Sequence, residues 1–423
     1  MAKMATPRLR FPEFRGMGDW QTIELRQLSE LVTERVGATR CVPYTITSGV
    51  GLVSQQEKLG RTIAGNSLKN YILLQRDDFA YNKSATKSFP QGFIARYVGE
   101  ERAAVPNSIF TCFRTDRAAV QPVFLDGLFS TNLHGNWLRS RIAVGARAHG
   151  SLNVSDDDLM ALPVPLPGGA SSLAEQQRIA DCLASLDELI AAQGRKVRAL
   201  QSHKRGLMQR LFPREGETRP RIRFSEFRNA PEWEEKPLGQ VIEVASGQVD
   251  PTVAPYCDWP HVGGDNIESE TGNLASLKSA REDGVLSGKY VFDERDILYS
   301  KIRPALNKVA APAFRGICSA DIYPIRPSSI CITRDFLTYL LRSEYFVRYA
   351  TKHSERGKIP KINREALKAY PASLPKPAEQ VRIAGFLSSV DTQVAAESDQ
   401  LAALKNHKKG LMQQLFPVQE SGT

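Results

Sequence analysis

A 40-residue segment occurs twice in this chain and limits the folds that the sequence can adopt. Residues 174–213 and 378–417 align without a gap and are identical at 22 of 40 positions. Residues 9–15 also return in related form as residues 222–228, and each copy is soon followed by an acidic residue and a tryptophan. Similarity at two matching places indicates a tandem duplication. We therefore expect matching helical segments that alternate with divergent globular segments.

Each 40-residue copy carries an apolar seam whose members are separated alternately by four and three residues, which is the heptad spacing of a coiled coil. The predicted helix-pairing seam consists of Ile179, Leu183, Leu186, Ile190, Val197, Leu200, Leu207 and Leu211 in the first copy, and of Ile383, Leu387, Val390, Val394, Leu401, Leu404, Leu411 and Leu415 in the second. A helix of about 40 residues is roughly 60 Å long and cannot bury such a seam by itself. We expect the two helices to pair with each other. Separate packing of each helix on its adjacent domain is the alternative.

Prolines punctuate both helical segments, which begin after Pro167 and Pro375 and end at Pro213 and Pro417. A glycine lies late in each helix, at positions 206 and 410. Glycine costs about 1 kcal/mol relative to alanine inside a helix. Close helix approach and a local break are both possible reasons for it.

The two globular segments have a mixed α/β pattern. Strand patterns occur at residues 67–79, 93–98, 108–113, 289–300, 308–311 and 320–326, and helical patterns at residues 125–139 and 334–350. The predicted fold class is α+β, with two mixed α/β domains separated by two long helices. The predicted boundaries are residues 1–167 and 214–374 for the domains, 168–213 and 375–417 for the helices, and 418–423 for a tail.

Composition limits the partners and the compartment. The 423 residues carry a net charge of +10, of which +8 lies in the first 213 residues, so a polyanion is a plausible partner. No stretch approaches the roughly 18 consecutive apolar residues of a membrane span, and no secretory leader is evident. We expect a cytoplasmic protein whose six scattered cysteines are reduced.

Sequence motifs for catalysis are absent. The chain contains no GxGxxG, GxxxxGK[ST], HExxH or GxSxG motif, and its six histidines are never paired at metal-ligand spacing. We therefore predict no catalytic residues, no metal site and no enzymatic activity in this chain.

Two unlike globular segments, each followed by a near-identical long helix ending in KxGLMQxLF, resemble the specificity subunit of type I restriction-modification systems. In the second half, residues 262–267 (VGGDNI) and 296–303 (DILYSKIR) look like the strand-and-loop signatures of that family. Residues 65–71 and 78–83 of the first half depart from these signatures and resemble another common version of the same domain.

The resemblance implies two target recognition domains on an antiparallel, pseudo-twofold helical spacer. It implies double-stranded DNA, two copies of a methylation subunit and up to two restriction subunits as partners. It also implies that this chain binds no cofactor, whereas the partner subunits would use S-adenosylmethionine, ATP and Mg. The expected function is recognition of a bipartite, asymmetric DNA target. The alternatives are a targeting subunit of a different DNA methylation or phage-defence complex, and a coiled-coil scaffold that does not bind DNA.

The candidate DNA-binding residues are basic, amide-bearing or aromatic residues in or beside Gly- or Ser-containing loops. In the first domain they are Arg61, Lys69, Tyr71, Lys83, Lys87, Asn136, Arg139, Arg141, Arg147 and His149. In the second domain they are Lys278, Lys301, Arg303, Asn307, Lys308, Lys352, Arg356, Lys358 and Lys361.

Overall fold

The computed structural model describes residues 6–47, 49–142, 152–354 and 359–417. The chain divides into two compact units. Unit 1 consists of residues 1–193 and 400–423, and unit 2 consists of residues 194–399. The two long helices are α5 (Ser172–Leu211) and α9 (Pro377–Leu415), and each contributes one half to each unit.

Unit 1 contains ten strands within its described residues. They are β1 (Gln21–Glu24), β2 (Ser29–Leu31), β3 (Val42–Thr47), β4 (Gly51–Ser54), β5 (Ile72–Leu74), β6 (Phe79–Asn82), β7 (Phe93–Arg96), β8 (Ala103–Val105), β9 (Phe110–Thr115) and β10 (Pro163–Leu166). The shorter helices are α1 (Gln55–Leu59), α2 (Pro122–Ser130), α3 (Leu133–Leu138) and α4 (Asp156–Met160). The strands form sheets of order β2-β9-β6-β7 and β4-β3-β8-β5 and a two-stranded pair β1-β10.

Unit 2 repeats this arrangement strand for strand. Its strands are β11 (Glu234–Pro237), β12 (Ile242–Val244), β13 (Pro260–Val262), β14 (Lys278–Ser279), β15 (Tyr290–Phe292), β16 (Ile297–Ser300), β17 (Val309–Ala310), β18 (Gly316–Cys318), β19 (Ile322–Pro327) and β20 (Pro371–Leu374). Its shorter helices are α6 (Arg334–Arg342), α7 (Glu344–Lys352) and α8 (Arg364–Lys368). The sheet orders are β12-β19-β16-β17, β14-β13-β18-β15 and β11-β20.

Adding ten to each strand number of unit 1 gives the strand order of unit 2. Even the pairing directions agree, because β3 with β8 and β13 with β18 are the parallel pairs, whereas the other strand pairs are antiparallel. The predicted mixed α/β composition of both segments is confirmed. The structure adds that the two divergent sequences form the same ten-strand frame.

Side chains on successive residues of the central strands enter two different cores. Phe79 and Tyr81 of β6 lie in the core that includes the helices, whereas Ala80 lies in the core shared with the second sheet. In β16, Ile297 likewise lies in the core that includes the helices, and Leu298 lies in the core shared with the second sheet. This alternation is the two-residue period of a strand that is buried on both faces.

The structure corrects the two predicted helices of the globular segments. The predicted helix at residues 125–139 is interrupted at Asn132, which adopts a left-handed conformation with φ of 63°. The predicted helix at residues 334–350 is interrupted at Ser343, whose backbone is extended and whose hydroxyl accepts a hydrogen bond from the Phe346 amide as the N-cap of α7. Two residues separate α2 from α3, and one residue separates α6 from α7, so each predicted helix is two helices.

Two predicted strands are also corrected. The region 67–79 begins with a 3-10 helix (Gly65–Asn70), and only Ile72–Leu74 forms strand β5 before β6 begins at Phe79. The region 289–300 is two strands, β15 and β16, in different sheets. The turn between them contains the buried carboxylates Asp293 and Asp296.

The ends of the long helices complete the cores of both units. Leu207, Leu211 and Phe212 of the first helical segment lie in the largest core of unit 2, together with Ile383 and Leu387 of α9. In unit 1, the corresponding residues of the second copy lie in one core with the start of α5: Leu411, Leu415 and Phe416 with Ile179 and Leu183. In each unit, both long helices therefore contribute to the same core as the globular segment.

All sixteen predicted seam residues are buried or half-buried. The two expectations for the late glycines are both wrong. Both helices continue through Gly206 and Gly410, so neither residue marks a break. A β-carbon built at either position meets no atom within 4 Å, so close helix approach does not require a glycine there.

A buried cluster ties each globular segment to the first turn of a long helix, and we call it the clasp. In unit 1, the Arg10 guanidinium donates to both oxygens of Glu175, at 2.8 and 2.7 Å, and Trp20 Nε1 donates to the same carboxylate. The Glu175 side chain is 1% exposed. Burial of an ionised carboxylate requires such partners.

The clasp of unit 2 repeats these contacts. Arg223 donates to both oxygens of Glu379, at 2.8 and 2.7 Å, and Trp233 Nε1 donates to Oε1. The residue after each glutamate also has the same role in both units. The side-chain oxygens of Gln176 and Gln380 accept hydrogen bonds from backbone amides of their own units. The clasp explains why the tryptophans and the Glu-Gln pairs recur in the sequence.

None of the helices in the described ranges is both long and apolar enough to cross a membrane. The six cysteines are free, and three of them, Cys112, Cys257 and Cys318, are buried.

Candidate nucleic-acid interface

A strained loop joins β16 to β17 in unit 2. It comprises residues 301–308 and includes two non-glycine residues in the left-handed region, Arg303 with φ of 48° and Asn307 with φ of 49°. The turn between them, Pro304–Leu306, is a 3-10 helix whose first residue is buried. Left-handed conformations of non-glycine residues persist only where the surrounding structure holds them. The contacts that hold this loop therefore show how it is positioned.

A second segment, residues 359–363, fixes the loop backbone. The Arg303 amide donates to the Pro360 carbonyl at 2.8 Å, and the Ile362 amide donates to the Lys301 carbonyl at 3.1 Å. Residues Ile302 and Lys361 form an isolated antiparallel bridge between these two bonds. The loop and segment 359–363 therefore form one surface that brings together Lys301, Arg303 and Lys361.

Three of the predicted DNA-binding residues in this loop have partners inside unit 2. Lys301 Nζ donates to the Ala320 carbonyl at 2.9 Å, and Lys308 Nζ donates to the Gly264 carbonyl at 2.6 Å. Asn307 is buried, and its Nδ2 donates to Glu270 Oε2 and to the Arg342 carbonyl. These contacts favour a role in shaping the loop over a direct contact with DNA.

Arg303 is the exposed cation of the loop, and its side chain has no hydrogen-bond or ion-pair partner among the described residues. Two apolar side chains of the same surface are also exposed, Leu306 at 41% and Ile359 at 49%. Sequence reasoning missed both, although an apolar residue in a basic, proline-containing loop is itself a signal. A cation beside apolar groups fits the edge of a base pair, which offers acceptors and, at thymine, a methyl group.

The corresponding hairpin of unit 1 begins at a lysine in the same structural position. The Lys83 amide donates to Ile109 O and its carbonyl accepts from the Leu152 amide, as the Lys301 amide and carbonyl pair with Asp321 O and the Ile362 amide. Lys83 Nζ lies 3.2 Å from Asp156 Oδ1. Lys83 and Lys301 therefore start equivalent loops.

A buried carboxylate holds the base of each hairpin. In unit 1, Asp78 accepts two hydrogen bonds from Arg114 of β9, at 2.7 and 2.9 Å, and one from the Gln75 amide. In unit 2, Asp296 accepts two from Arg326 of β19, at 2.9 and 2.8 Å. The same ion pair thus holds each hairpin at the end away from its loop, so the two loops can differ.

The loop of unit 1, residues 83–92, is packed by aromatic rings. Phe89 lies edge-on to Phe93 with ring centroids 4.7 Å apart, and Tyr81 donates its hydroxyl proton to the Gln91 carbonyl. His134 of α3 lies with Nε2 3.2 Å from Gly92 O. Burial lowers the pKa of His134 to about 4, so the ring is neutral near pH 7.

The remaining candidates near this loop lie on or after α3. Asn136, Arg139 and Arg141 are exposed, and Arg141 stacks on the Trp137 ring with 3.2 Å between the guanidinium carbon and the ring centroid. Lys87 is exposed within the loop itself. The His134 contact connects α3 to the loop, so the structure places this group around one edge of unit 1. Arg147 and His149 lie outside the described residues.

The other described candidates lie on or beside the second sheet of their unit, except for Lys352. Arg61 and Lys69 are exposed, and Tyr71 is half-buried, in the segment that precedes β5 in the second sheet of unit 1. In unit 2, Lys278 lies on the edge strand β14 of the second sheet, whereas Lys352 ends α7, which packs against the turn Pro304–Leu306. Arg356 and Lys358 lie outside the described residues.

Part of this chain matches the model of a known protein family. The family model described as "Type I restriction modification DNA specificity domain" matches residues 231–406, which include the strained loop and two of the three clasp residues of unit 2, Trp233 and Glu379. Residues 231–406 are therefore similar to the specificity domain of type I restriction systems. The family resemblance predicted from the sequence is confirmed.

Specificity subunits are similar to this chain outside the matched domain as well. The type I restriction enzyme EcoDI specificity subunit of Escherichia coli is 32% identical over 211 residues, which cover 49% of this chain and 46% of that protein. This match thus spans about half of its relative. The putative type I restriction enzyme MjaX specificity subunit of Methanocaldococcus jannaschii is 23% identical over 411 residues, covering 94% of this chain and 93% of the relative.

Two solved structures share the fold. The type I restriction-modification S subunit of M. genitalium has a TM-score of 0.55 at 14% identity, and the alignment covers 98% of this chain and all of that one. A chain from a study of complex assembly and conformational transition of a type I R-M system also has a TM-score of 0.55, at 20% identity, with 94% and 97% coverage. The specificity-subunit fold thus extends over nearly the whole chain.

Proposed function

We propose that this chain is the DNA-recognition subunit of a type I restriction-modification complex. In this proposal, residues 1–167 and 214–374 are two target recognition domains, each of which reads one half of a bipartite, asymmetric site in double-stranded DNA. Residues 168–213 and 375–417 are spacer helices that also dock the other subunits. The chain itself supplies recognition, and the chemistry takes place in its partners.

One observation carries the proposal: the two units share a frame and differ in the loops that the frame presents. The ten-strand order and the clasp recur in both units, whereas residues 83–92 and 301–308 differ in length, composition and backbone conformation. A frame that holds its loops at equivalent positions supports unlike reading surfaces. Sequence is read by the few side chains that meet base edges, while phosphate contacts set the register.

The charges of the long helices support antiparallel pairing. The residues of α5 before position 194 include four acidic residues and one basic residue, whereas residues 194–211 include six basic residues and no acidic one. Helix α9 has the same polarity, since residues 400–415 contain three lysines and no acidic residue. Antiparallel helices bring each acidic half beside a basic half, and opposite charges at coiled-coil flanks set orientation.

Interhelical ion pairs inside each unit agree with this charge pattern. In unit 1, Lys408 Nζ lies 2.6 Å from Asp187 Oδ1. In unit 2, Lys196 lies 2.6 Å from Glu397, and a second pair links Lys204 to Asp391 at 2.5 Å. The residue numbers fall on one helix as they rise on the other, as antiparallel pairing requires.

The duplication also bears on stoichiometry and spacing. Two similar helices offer two similar surfaces, so one chain can hold two copies of a methylation subunit, and up to two restriction subunits can join. The separation of the half-sites would follow from helix length. One added turn in each helix, about 6 Å, would lengthen the unread spacer by about 2 base pairs.

Methylation-sensitive genome sequencing tests the proposal. The full chain is expressed with the methylation subunit of its own system in a host that lacks such a system. The expected result is a single methylated motif with two unequal half-sites separated by a fixed number of unread base pairs. Replacement of residues 83–92 by glycine-serine sequence of the same length should abolish or relax one half-site only.

The outcomes separate the alternatives. A scaffold without DNA binding predicts the same methylation pattern with and without this chain. A targeting subunit of another defence system predicts no activity with a type I methylation subunit but activity with a different partner. Loss of both half-sites in the loop variant, with wild-type thermal stability, would contradict independent reading by two domains.

A further inference from the structure

The C-terminal half of α5 carries more positive charge than helix pairing uses. Residues 194–211 contain six Lys or Arg residues and no Asp or Glu. Lys196 and Lys204 form the interhelical ion pairs of unit 2. Arg210 donates to the Gly206 carbonyl one turn earlier. The other three cations require a separate explanation.

Arg195, Arg198 and Arg205 are exposed, and none of them has an ion pair or a side-chain hydrogen bond within the described ranges. At about 100° per residue, the three side chains fall within an arc of about 80°. By the same count, the seam residues Val197 and Leu207 lie about 120° and about 160° from the middle of this arc. The three arginines therefore form one stripe on the face that the partner helix does not cover.

An ordinary solvated helix face explains this stripe poorly. Surface helices usually mix charges of both signs, because like charges three or four residues apart destabilise a helix. The stripe also begins well before the last turn of α5, beyond the range in which the helix dipole favours cations. At the equivalent positions of α9 the residues are Asp399, Ala402 and Lys409, which have no net charge. The duplicated helices thus differ at this face.

We propose that Arg195, Arg198 and Arg205 bind the phosphate backbone of double-stranded DNA. This inference rests on the proposed function, because it assigns the stripe to the base pairs that lie between the two half-sites. Phosphate contacts position a protein on DNA without reading its sequence. They are therefore the kind of contact that an unread spacer can provide.

The spacing and the chemistry of the stripe fit this ligand. Ten residues separate Arg195 from Arg205, which is about 15 Å along the helix. Duplex DNA carries one negative charge per about 1.7 Å of its axis, so about nine phosphate charges lie within that distance. Long, exposed arginine side chains have the reach to follow a backbone, and the planar guanidinium binds phosphate through two parallel hydrogen bonds.

The salt dependence of DNA binding tests the stripe. The full chain is titrated with a fluorescent duplex of about 40 base pairs, at several salt concentrations. Each phosphate contact contributes about 0.9 to the slope of log affinity against log salt. The variant with Arg195→Gln, Arg198→Gln and Arg205→Gln should have a slope smaller in magnitude by about 2.7, with weaker binding at low salt. Glutamine keeps a high helix propensity, so circular dichroism should show an unchanged helix content.

Two controls make the result specific. The triple substitution of the same arginines by lysine keeps the charges and should keep most of the slope. A matched variant with Arg221→Gln, Arg228→Gln and Lys376→Gln removes three exposed charges from the same unit at positions outside the stripe. Its slope should stay within experimental error of the wild-type slope.

The possible failures are distinguishable. If the wild-type chain binds no duplex at low salt, the proposed function fails and the stripe with it. If the wild-type chain binds but the stripe variant keeps its slope, or the matched variant loses as much, only the stripe proposal is overturned. A stripe variant with an unchanged slope that no longer co-purifies with a co-expressed methylation subunit would make this face a protein-docking surface instead.

Discussion

Unit 1 and unit 2 have the same frame, but they hold their hairpin loops by different means. In unit 1, aromatic packing and the buried His134 support residues 83–92. In unit 2, two left-handed residues and the buried amide of Asn307 support residues 301–308. The carboxylates beneath the loops and the clasps are the same in both units. The comparison shows that the buried polar supports are retained while the exposed loops diverge.

The largest effect should come from breaking the clasps. Glu175→Ala and Glu379→Ala each remove the carboxylate shared by a largely buried guanidinium and a buried indole N–H, so each should lower the free energy of unfolding by about 3 to 5 kcal/mol. Urea denaturation of the full chain measures both. The matched control is Glu13→Ala, which removes an exposed pair with Arg178 and should cost less than about 1 kcal/mol. A large effect in one unit only would contradict equivalent clasps.

The second-largest effect should be a loss of stability at low pH that originates in unit 1. His134 has a pKa of about 4 in the folded chain because burial disfavours its charged form, against about 6.5 when unfolded. The unfolded chain therefore binds the proton first as pH falls. The contribution of this ring to the free energy of unfolding is fully present above pH 6.5. It should decrease by about 3 kcal/mol as the pH falls to 4.

Urea denaturation at pH 7 and pH 4.5 checks this expectation. His134→Gln should reduce the pH dependence, although it also removes the contact with Gly92 and lowers stability at pH 7. His353→Gln changes an exposed histidine of unit 2 and is the matched control. An equal pH dependence in the wild-type chain and the His134→Gln variant would show that this ring is not the source.

Arg303 should reveal whether the strained loop of unit 2 reads bases. If its guanidinium binds a guanine edge, Arg303→Ala should cost about 1 to 3 kcal/mol at one base position of one half-site. Binding to a set of duplexes with single-position changes measures this, and Arg228→Ala is the matched exposed control. An equal loss on every duplex would make Arg303 a phosphate contact.

The smallest effect should come from the late glycines, which the two long helices share. Gly206→Ala and Gly410→Ala add a methyl group to open space in a continuous helix, so each should raise the free energy of unfolding by about 1 kcal/mol. Thermal and urea denaturation measure the gain. Gly127→Ala is the contrasting control, because its β-carbon would lie 3.0 Å from Leu183 and should give no gain. Destabilisation at 206 or 410 would indicate a packed partner there.

The periodic and repeated features were predictable because each depends on local rules. The heptad spacing predicts which residues of the helices are removed from water, and the prolines predict where the helices end. The recurrence of tryptophan was visible in the sequence, but its contact with a buried glutamate in each clasp was found only in the structure. The interruptions at Asn132 and Ser343 were not predictable from periodicity, since one residue in another backbone conformation leaves the apolar pattern nearly unchanged.

The candidate site was predictable only in part. The sequence does not show whether Asn307, Lys301 and Lys308 are exposed. A polar side chain in a loop can either face solvent or donate a hydrogen bond to a backbone carbonyl of its own unit. The exposed Leu306 and Ile359 were missed for the opposite reason, since apolar residues are normally assigned to a core.

Residue order alone specifies the duplication, the two long helices with their apolar seams and the family to which the chain is similar, because repeats, heptads and motifs are local features of a sequence. The folded chain was needed to show that two dissimilar segments form one ten-strand frame and that both long helices complete the core of each unit. The physical reason is that strand order and core partners depend on residues far apart in the chain, and many different apolar sequences satisfy the same burial.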